Sequence, residues 1–231
     1  SMYHQNEIAQ ALRMVVQGAA ALVNPTDGSD RVMVTSTRLF DAGTPVQLVD
    51  TDGQREDHVV MERISGTEVR LESEVARTFS PQRQARLQIR GGAGSELRWV
   101  AQGAPEIMPL PRPLQLPAAV VAPIRLTQPP NAGTNRTYQQ EYLLRVYYFR
   151  QAEEGEAAAE VLGEKVGELF NLIMSDPYLE ETCWHAQVVR VELQGEVAAE
   201  LRSKNPGLQA ALLEVLARRA ERWDGGRHLA P

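Results

Sequence analysis

The sequence predicts an α+β protein, in which a mixed or antiparallel sheet carries helices on one face and a small β-barrel is inserted ahead of it. Residues 137–193 pass from a period of two to a helical period and back to a period of two. Residues 31–90 hold short β-type runs separated by tight turns. Residues 91–136 hold eight of the fourteen prolines, which predicts an extended connector between the barrel and the sheet.

The first element is a predicted amphipathic helix from Asn6 to Val23. Its apolar residues recur at three- and four-residue steps, and Asn6 can cap its start. Turn-forming residues at 24–28 end it. We assign this helix, within residues 1–30, to the α/β domain.

Residues 31–90 are predicted to form the inserted small β-barrel, with hairpin turns at Asp52-Gly53 and Ser65-Gly66. Such a barrel can bind oligonucleotides through a basic groove and exposed aromatic rings. Here nine acidic residues balance nine basic ones, and Phe40 and Phe79 are the only aromatic residues. The composition therefore favours an interaction or spacer barrel.

The connector at 91–136 contains one predicted edge strand, residues 118–126, because Pro123 interrupts it and proline is tolerated at the edge of a sheet. Residues 137–231 form the main predicted domain. Both faces of the strand at 137–150 are apolar, a helix follows from residue 157 until Pro177, and a second strand covers 185–193. Helix propensity favours a helix at 208–219, although a sheet-completing strand remains open.

The composition and motifs indicate no catalytic, cofactor or metal site. Cys183 is the single cysteine, which excludes an internal disulfide and fits assembly inside a cell. No apolar run reaches the roughly 20 residues that cross a bilayer. The four histidines show no ligand spacing, and the glycine cluster at 91–94 is interpreted as a hinge. We expect no enzyme activity, no cofactor, no metal site and no membrane partner.

The order of the parts resembles that of the tail terminator and neck proteins of tailed bacteriophages. The proline-rich approach has the sequence LPAAVVAP (116–123), and a strand-helix unit follows it. The aspartate loop SDPYLEETCW (175–184) and the closing strand VVRVEL (188–193) complete the resemblance. The segment from 38 to 89 is also similar to a recurrent phage barrel, with the hairpin pattern MERISGTEVRLE. The resemblance implies a tail-terminator-like sheet with helices on one face.

The implied function is that of a structural virion protein of the phage neck, assembled in the cytoplasm of the host bacterium. It would form a hexameric ring that caps the tail tube and joins it to the head connector. A ring needs two different complementary patches on each copy. The aromatic residues of the strand at 137–150 are the predicted subunit interface, unless the chain's own helices and connector cover both faces: Tyr138, Tyr142, Tyr147, Tyr148 and Phe149.

The resemblance implies partners besides other copies of the chain: the tail tube protein, the head–tail connector or adaptor protein, and DNA passing through the lumen without specific binding. Residues 151–231 hold fifteen acidic and eight basic residues, which suits a lumen that repels phosphate, or simply a solvated surface. Two alternatives stay open. One is a head-completion adaptor or the tube-capping protein of a contractile injection system. The other is a ligand- or carbohydrate-binding module.

Overall fold

The computed structural model describes residues 2–104, 109–127, 133–134, 137–193, 199, 203 and 205–222. The protein is α+β, with two sheets and few helices in the described part. It divides into two compact units: unit 1 comprises residues 1–13, 98–164 and 177–231, and unit 2 comprises residues 14–97 and 165–176.

The helices and strands, in chain order, have the following bounds: α1 (Met2–Val16), β1 (Ala19–Ala21), β2 (Arg31–Met33), β3 (Pro45–Val49), β4 (Arg55–Arg63), β5 (Glu68–Leu71), β6 (Arg86–Ile89), α2 (Gly92–Glu96), β7 (Trp99–Gln102), β8 (Ala118–Thr127), β9 (Gly133–Thr134), β10 (Thr137–Gln151), α3 (Ala158–Ser175), β11 (His185–Leu193) and β12 (Leu208–Arg222).

Unit 2 is built on a six-stranded sheet with the order β1-β6-β3-β4-β5-β2. An isolated antiparallel bridge between Leu22 and Val34 joins the ends of its two outermost strands. Beside it, the Thr35 N–H donates to the Ala21 carbonyl at 2.9 Å. The sheet therefore curls back on itself, which is compatible with the predicted small barrel. Fifteen buried apolar residues, including Phe40 and Phe79, form the core of this unit.

Two predicted bounds are wrong. The first helix ends at Val16 and not at Val23, and the sheet of unit 2 begins at Ala19 and not at residue 31. Helix α1 stops at Val16, because Gly18 adopts a left-handed backbone (φ 67°) and its N–H donates to the Val15 carbonyl at 2.9 Å. The three alanines that follow form β1, which pairs with β6. Their small apolar side chains suit either period, so the pattern could not separate helix from strand.

Unit 1 is built on a mixed sheet with the order β11-β12-β10-β8-β7. Strands β7 and β8 are parallel, and the other pairs along this order are antiparallel. The helix favoured at 208–219 is wrong, since this segment is β12 and pairs with β10 along its whole length, from Leu208↔Gln151 to Arg222↔Thr137. Pairing on both sides overrides a helix propensity worth only tenths of a kcal/mol per residue.

Strand β8 is not the edge of the sheet along its first half, because β7 pairs with Ala118–Val121. Pro123 lies beyond that pairing, so its missing N–H removes no hydrogen bond between β8 and β7. On the β10 side, Pro123 pairs with Leu144 next to an irregularity in the register. The predicted edge position therefore holds for the proline and not for the whole strand.

The helical parts of unit 1 are anchored to the sheet by hydrogen bonds. In α1, the Arg13 guanidinium donates to the Val100 carbonyl on β7 at 3.0 Å, and Glu7 accepts from Arg219 on β12 at 3.1 Å. At the start of α3, the Ala158 carbonyl accepts from the Gln209 side chain at 3.1 Å. Gln209 and Arg219 share one face of β12, since ten residues separate them and side chains alternate along a strand.

Gly94 in α2 provides a test of the packing in unit 2. A Cβ at this position would lie 2.6 Å from the Val16 carbonyl oxygen and 2.9 Å from Leu172 Cδ1. Because backbone atoms cannot give way cheaply, we expect Gly94→Ala to lower the free energy of unfolding by about 2 kcal/mol. Urea denaturation measures this. Gly66→Ala is the control, because its Cβ would meet nothing within 4 Å. Equal stability of both variants would contradict the packing.

Candidate functional site

The aromatic residues predicted as a subunit interface are mostly enclosed by their own chain. Tyr142, Tyr148 and Phe149 are at most 1% exposed, and Tyr147 is 8% exposed. The backbone of Tyr138 pairs with Gly133 and Glu221, and its side chain lies outside the described residues. The four described side chains leave almost no surface for a neighbouring copy. The burial supports the alternative, in which the chain itself covers both faces of the strand.

The register shows how β10 is covered on both faces. On one face, Tyr142 and Tyr148 stand opposite Ala217 and Ala211 of β12, and the small alanines leave room for the large rings. On the other face, Tyr147 and Phe149 belong to a cluster whose remaining buried members come from β8, β12 and the segment before β8: Leu116, Ala118, Val120, Ala122, Leu208 and Ala210. These aromatic residues therefore form the core of unit 1.

Four of the seven large apolar side chains that are exposed in the described part of unit 1 lie instead at one edge of its sheet. Trp184, Val189, Val191 and Leu193 are 44–52% exposed. They lie just before or within β11, whose pairing in the described part of the chain is with β12 alone. We call Trp184 together with His185–Leu193 the β11 edge. It combines an open row of backbone groups with an apolar side-chain surface.

Position in the sheet explains the exposure of Val191 and Leu193. They pair with Leu213 and Ala211 of β12, which are 0% and 3% exposed. Paired residues lie on the same face, so these side chains extend the buried face of the sheet to its last strand, where the cover ends. The sequence showed the alternation of Val189, Val191 and Leu193. It could not show that β12 would take the inner position and leave β11 outside.

The opposite edge of this sheet is different. Strand β7 contains Val100, whose carbonyl accepts the hydrogen bond from Arg13. The side chain of Gln102 donates to Asn6 of α1 at 3.2 Å. Helix α1 thus accompanies the β7 edge, whereas β11 carries a bulge at Val189, where the register with β12 shifts. Bulges and charges are common devices on sheet edges that must not pair indiscriminately.

A second feature, in unit 2, is a cluster of the buried His58 with the half-buried Glu56 and the exposed Ser73. His58 is 3% exposed, its Nε2 lies 2.8 Å from Glu56 Oε1, and its Nδ1 lies 3.1 Å from Ser73 Oγ. The Glu56 carboxylate also accepts the N–H groups of Ala76 at 2.7 Å and Arg77 at 2.9 Å. Since an ionised carboxylate only accepts, the proton between Glu56 and His58 belongs to Nε2.

These residue types also occur in hydrolytic triads. In this chain their contacts hold one segment of the protein against another. Near Ser73, the N–H groups of Glu72 and Val75 donate to Val59 and Ser29, and those of the next two residues donate to Glu56. The cluster uses its donors to fasten residues 72–77 to β4. The sequence offered no signal for it, because these residues are brought together only by the β4–β5 pairing.

The glycine cluster at 91–94 lines a cleft of about 220 Å³ with residues of α3 and with Gly18 and Ile89. Gly91 and Gly92 have left-handed backbones, with φ of 86° and 84°, which only glycine adopts readily. Glu168 accepts the Ala93 N–H, and Lys165 forms a salt bridge with Glu96 at 2.8 Å. The cluster is thus held by side chains of α3, and its interpretation as a hinge stays a prediction.

The described residues contain neither a metal-binding group nor a membrane-spanning helix. In the described ranges, no three or more His, Cys, Asp or Glu side chains are grouped so that they could hold a metal ion. No helix in that part of the chain is long and apolar enough to cross a membrane. No protein-family model matches the sequence, and a search of curated proteins finds no significant match.

The Glu56 cluster should appear in the pH dependence of stability. Burial raises the pKa of Glu56, but hydrogen bonds from Ala76, Arg77 and His58 outweigh it and hold the pKa below its usual 4.5. The carboxylate therefore contributes stability above pH 4.5 that is lost as the pH falls through the folded pKa. We expect Glu56→Gln to cost about 1–2 kcal/mol at pH 7 and much less at low pH.

Urea titrations at several pH values measure this difference. Glu74→Gln, on the same segment and exposed, is the matched control. A constant gap between wild type and Glu56→Gln at every pH would show that the carboxylate's charge is not what fastens the segment.

Burial also predicts opposite outcomes for two aspartate substitutions in unit 1. Tyr148→Asp places a charge where the wild-type side chain is 1% exposed, so we expect a loss of more than about 3 kcal/mol in the free energy of unfolding. Val191→Asp replaces a side chain that is 44% exposed and should change stability by less than about 1 kcal/mol. Thermal melts compare the two. A well-folded Tyr148→Asp would contradict the core assignment.

Proposed function

We propose that the protein is a structural component of a phage neck, which caps the tail tube and joins it to the head connector as a hexameric ring. The observation that carries the proposal is the β11 edge, where Val189, Val191 and Leu193 are 44–49% exposed beside an open strand. An apolar surface on an unpaired strand is typical of a surface that another chain covers. Strand addition at such an edge combines backbone hydrogen bonds with side-chain burial.

The architecture supports the same proposal. A mixed sheet with a long central strand, a following helix and a returning strand is the arrangement that the resemblance to tail terminators implies, and a curled sheet occupies the place of the inserted barrel. On this proposal, unit 1 has the tail-terminator-like fold with helices on one face. The β11 edge takes the role first expected of the strand at 137–150.

The proposed partners follow from the same role. A ring that joins the tube to the head has two different ends. Such a ring needs one patch of each copy to meet a different patch of the next. The tail tube protein and the connector or adaptor protein would contact opposite ends of the ring, and DNA would pass through its lumen without specific contacts. The proposed location is the virion, with assembly in the host cytoplasm. A head-completion adaptor uses the same kind of surface, and the choice of partner separates the two.

A ligand-binding barrel receives less support. Phe40 and Phe79, its only aromatic residues, are both fully buried in the core of unit 2. Apolar side chains occupy the inside of the curled sheet, and sugar or base stacking needs exposed rings.

Assembly on the tail tube tests the proposal. We expect the purified chain, mixed with the tail tube protein of the same genome, to form rings at tube ends in negative-stain micrographs and to stop further tube growth. Val191→Asp should abolish the rings while keeping the wild-type melting temperature, because it charges the β11 edge without touching the core. Exposed Leu114→Asp, 87% exposed in wild type, is the control and should leave the rings intact.

A chain that stays apart from tube subunits at all concentrations would overturn the proposed position in the neck. Binding to the connector protein, without binding to the tube, would assign the protein to head completion instead.

A further inference from the structure

The sequence of the β11 edge is complementary to itself when reversed. In an antiparallel pair of two β11 strands centred on Val191, Val191 meets its own counterpart and Arg190 stands opposite Glu192 of the other copy. Both charged side chains are accessible, at 57% exposure for Arg190 and 33% for Glu192. An apolar pair flanked by opposite charges therefore occupies positions 190–192, and the bulge at Val189 lies outside this stretch.

Neighbouring registers lack this match. Centring the pair on Arg190 or on Glu192 places like charges directly opposite each other, which is destabilising in a sheet. Centring it between Arg190 and Val191 sets Glu192 against Val189. A one-residue slip also turns every side chain to the other face. The charges thus select one register.

We propose that in the free protein the β11 edges of two copies pair antiparallel about a two-fold axis at Val191. The pair joins the two mixed sheets into one continuous sheet and buries Val191 and Leu193 of both copies. Arg190 and Glu192, 2.8 Å apart within one chain, then form a four-membered charge cluster with their counterparts. The site takes a second copy of this chain, because antiparallel self-pairing makes a two-fold contact with identical residues on both sides.

The geometry of the sheet favours this occupant. A head-to-tail stack of sheets would need the β7 edge, where Arg13 already occupies the Val100 carbonyl. The bulge at Val189 bends the strand, which confines the pairing to a short stretch ending at Leu193. An interface of this length is far smaller than a standard protein–protein interface, so the dimer dissociates readily. A two-fold contact cannot build a head-to-tail ring, so the dimer would have to open before β11 took part in the ring of the proposed function.

This inference does not rest on the proposed function, since it concerns the free chain in the absence of tube. A disulfide trap tests it. In the centred register the two introduced thiols of Val191→Cys face each other, with Cα atoms about 4.5–5.5 Å apart, within the range that a disulfide bridges. Gln187→Cys is the control, because its two copies would lie about 26 Å apart along the strands. Native Cys183 is buried and present in both variants.

Mild oxidation should convert most of Val191→Cys, and little of Gln187→Cys, into a reducible dimer on non-reducing gels. Equal cross-linking of the two variants, or none in either, would overturn the register.

Charge reversal provides the second test. We expect Arg190→Glu alone, and Glu192→Arg alone, to weaken dimerisation about tenfold in sedimentation velocity, because each creates two like-charge pairs across the axis. The double variant restores opposite charges and should recover the wild-type dissociation constant. Melting temperatures measured on dilute monomer separate this effect from the loss of the intrachain pair.

A wild-type chain that remains monomeric at every concentration would overturn the proposal, as would a double variant no better than the single ones. Ring formation on tail tubes is measured separately, so the proposed function can survive the failure of the dimer, and the dimer can survive the failure of the ring.

Discussion

The structure of unit 1 depends on the pairing of β10 with β12. Fifteen residues of each strand are in register, from Thr137↔Arg222 to Gln151↔Leu208. This ladder places β12 inside the sheet, between β10 and β11, buries tyrosines against alanines on one face, and moves β11 outward by one place. Without β12, the strand at 185–193 could have paired with β10 directly, and its valines would have been core residues. One long-range pairing therefore decides both what is buried and what is exposed.

The sequence predicted the parts of this unit better than their order. The alternation at 137–150, the helical stripe from 158 and the stop at Pro177 are local patterns, and the structure has β10, α3 and β11 there. The segment at 208–219 was different, because Leu208, Leu212, Val215 and Leu216 suit a helix when taken alone. Its strand conformation comes from pairing with β10, at least 57 residues earlier, and with β11, at least 18 residues earlier, which no local pattern encodes. The candidate surface was missed for the same reason, since a row of valines on an edge strand and one on an inner strand look alike.

Unit 2 shows a similar division between local and distant information. The turns at Asp52-Gly53 and Ser65-Gly66 predicted its hairpins, and the apolar residues of the short β-type runs predicted its core. The curling of the sheet depends on a bridge between Leu22 and Val34 and on Gly18, where the first helix ends in a left-handed residue. Nothing in the sequence singled out Glu56 and His58. Their structural role is visible only in the fold, where Ala76 and Arg77 donate to the Glu56 carboxylate. A relation between residues two positions apart can be predicted from a local pattern. A contact between residues twenty positions apart is visible only in the folded structure.

The β11 edge has features that invite pairing and features that limit it. Val191 and Leu193 extend the apolar face of the sheet into solvent, which favours association, while the bulge at Val189 and the charges of Arg190 and Glu192 restrict its geometry. A flat and uncharged edge would accept any strand and aggregate. An edge that is short, bulged and charged accepts a partner only in one register, and it releases that partner because the interface is small. On the proposed role, reversible and register-specific pairing would keep the exposed strand soluble before it reaches its final position, and the same few residues would provide both properties.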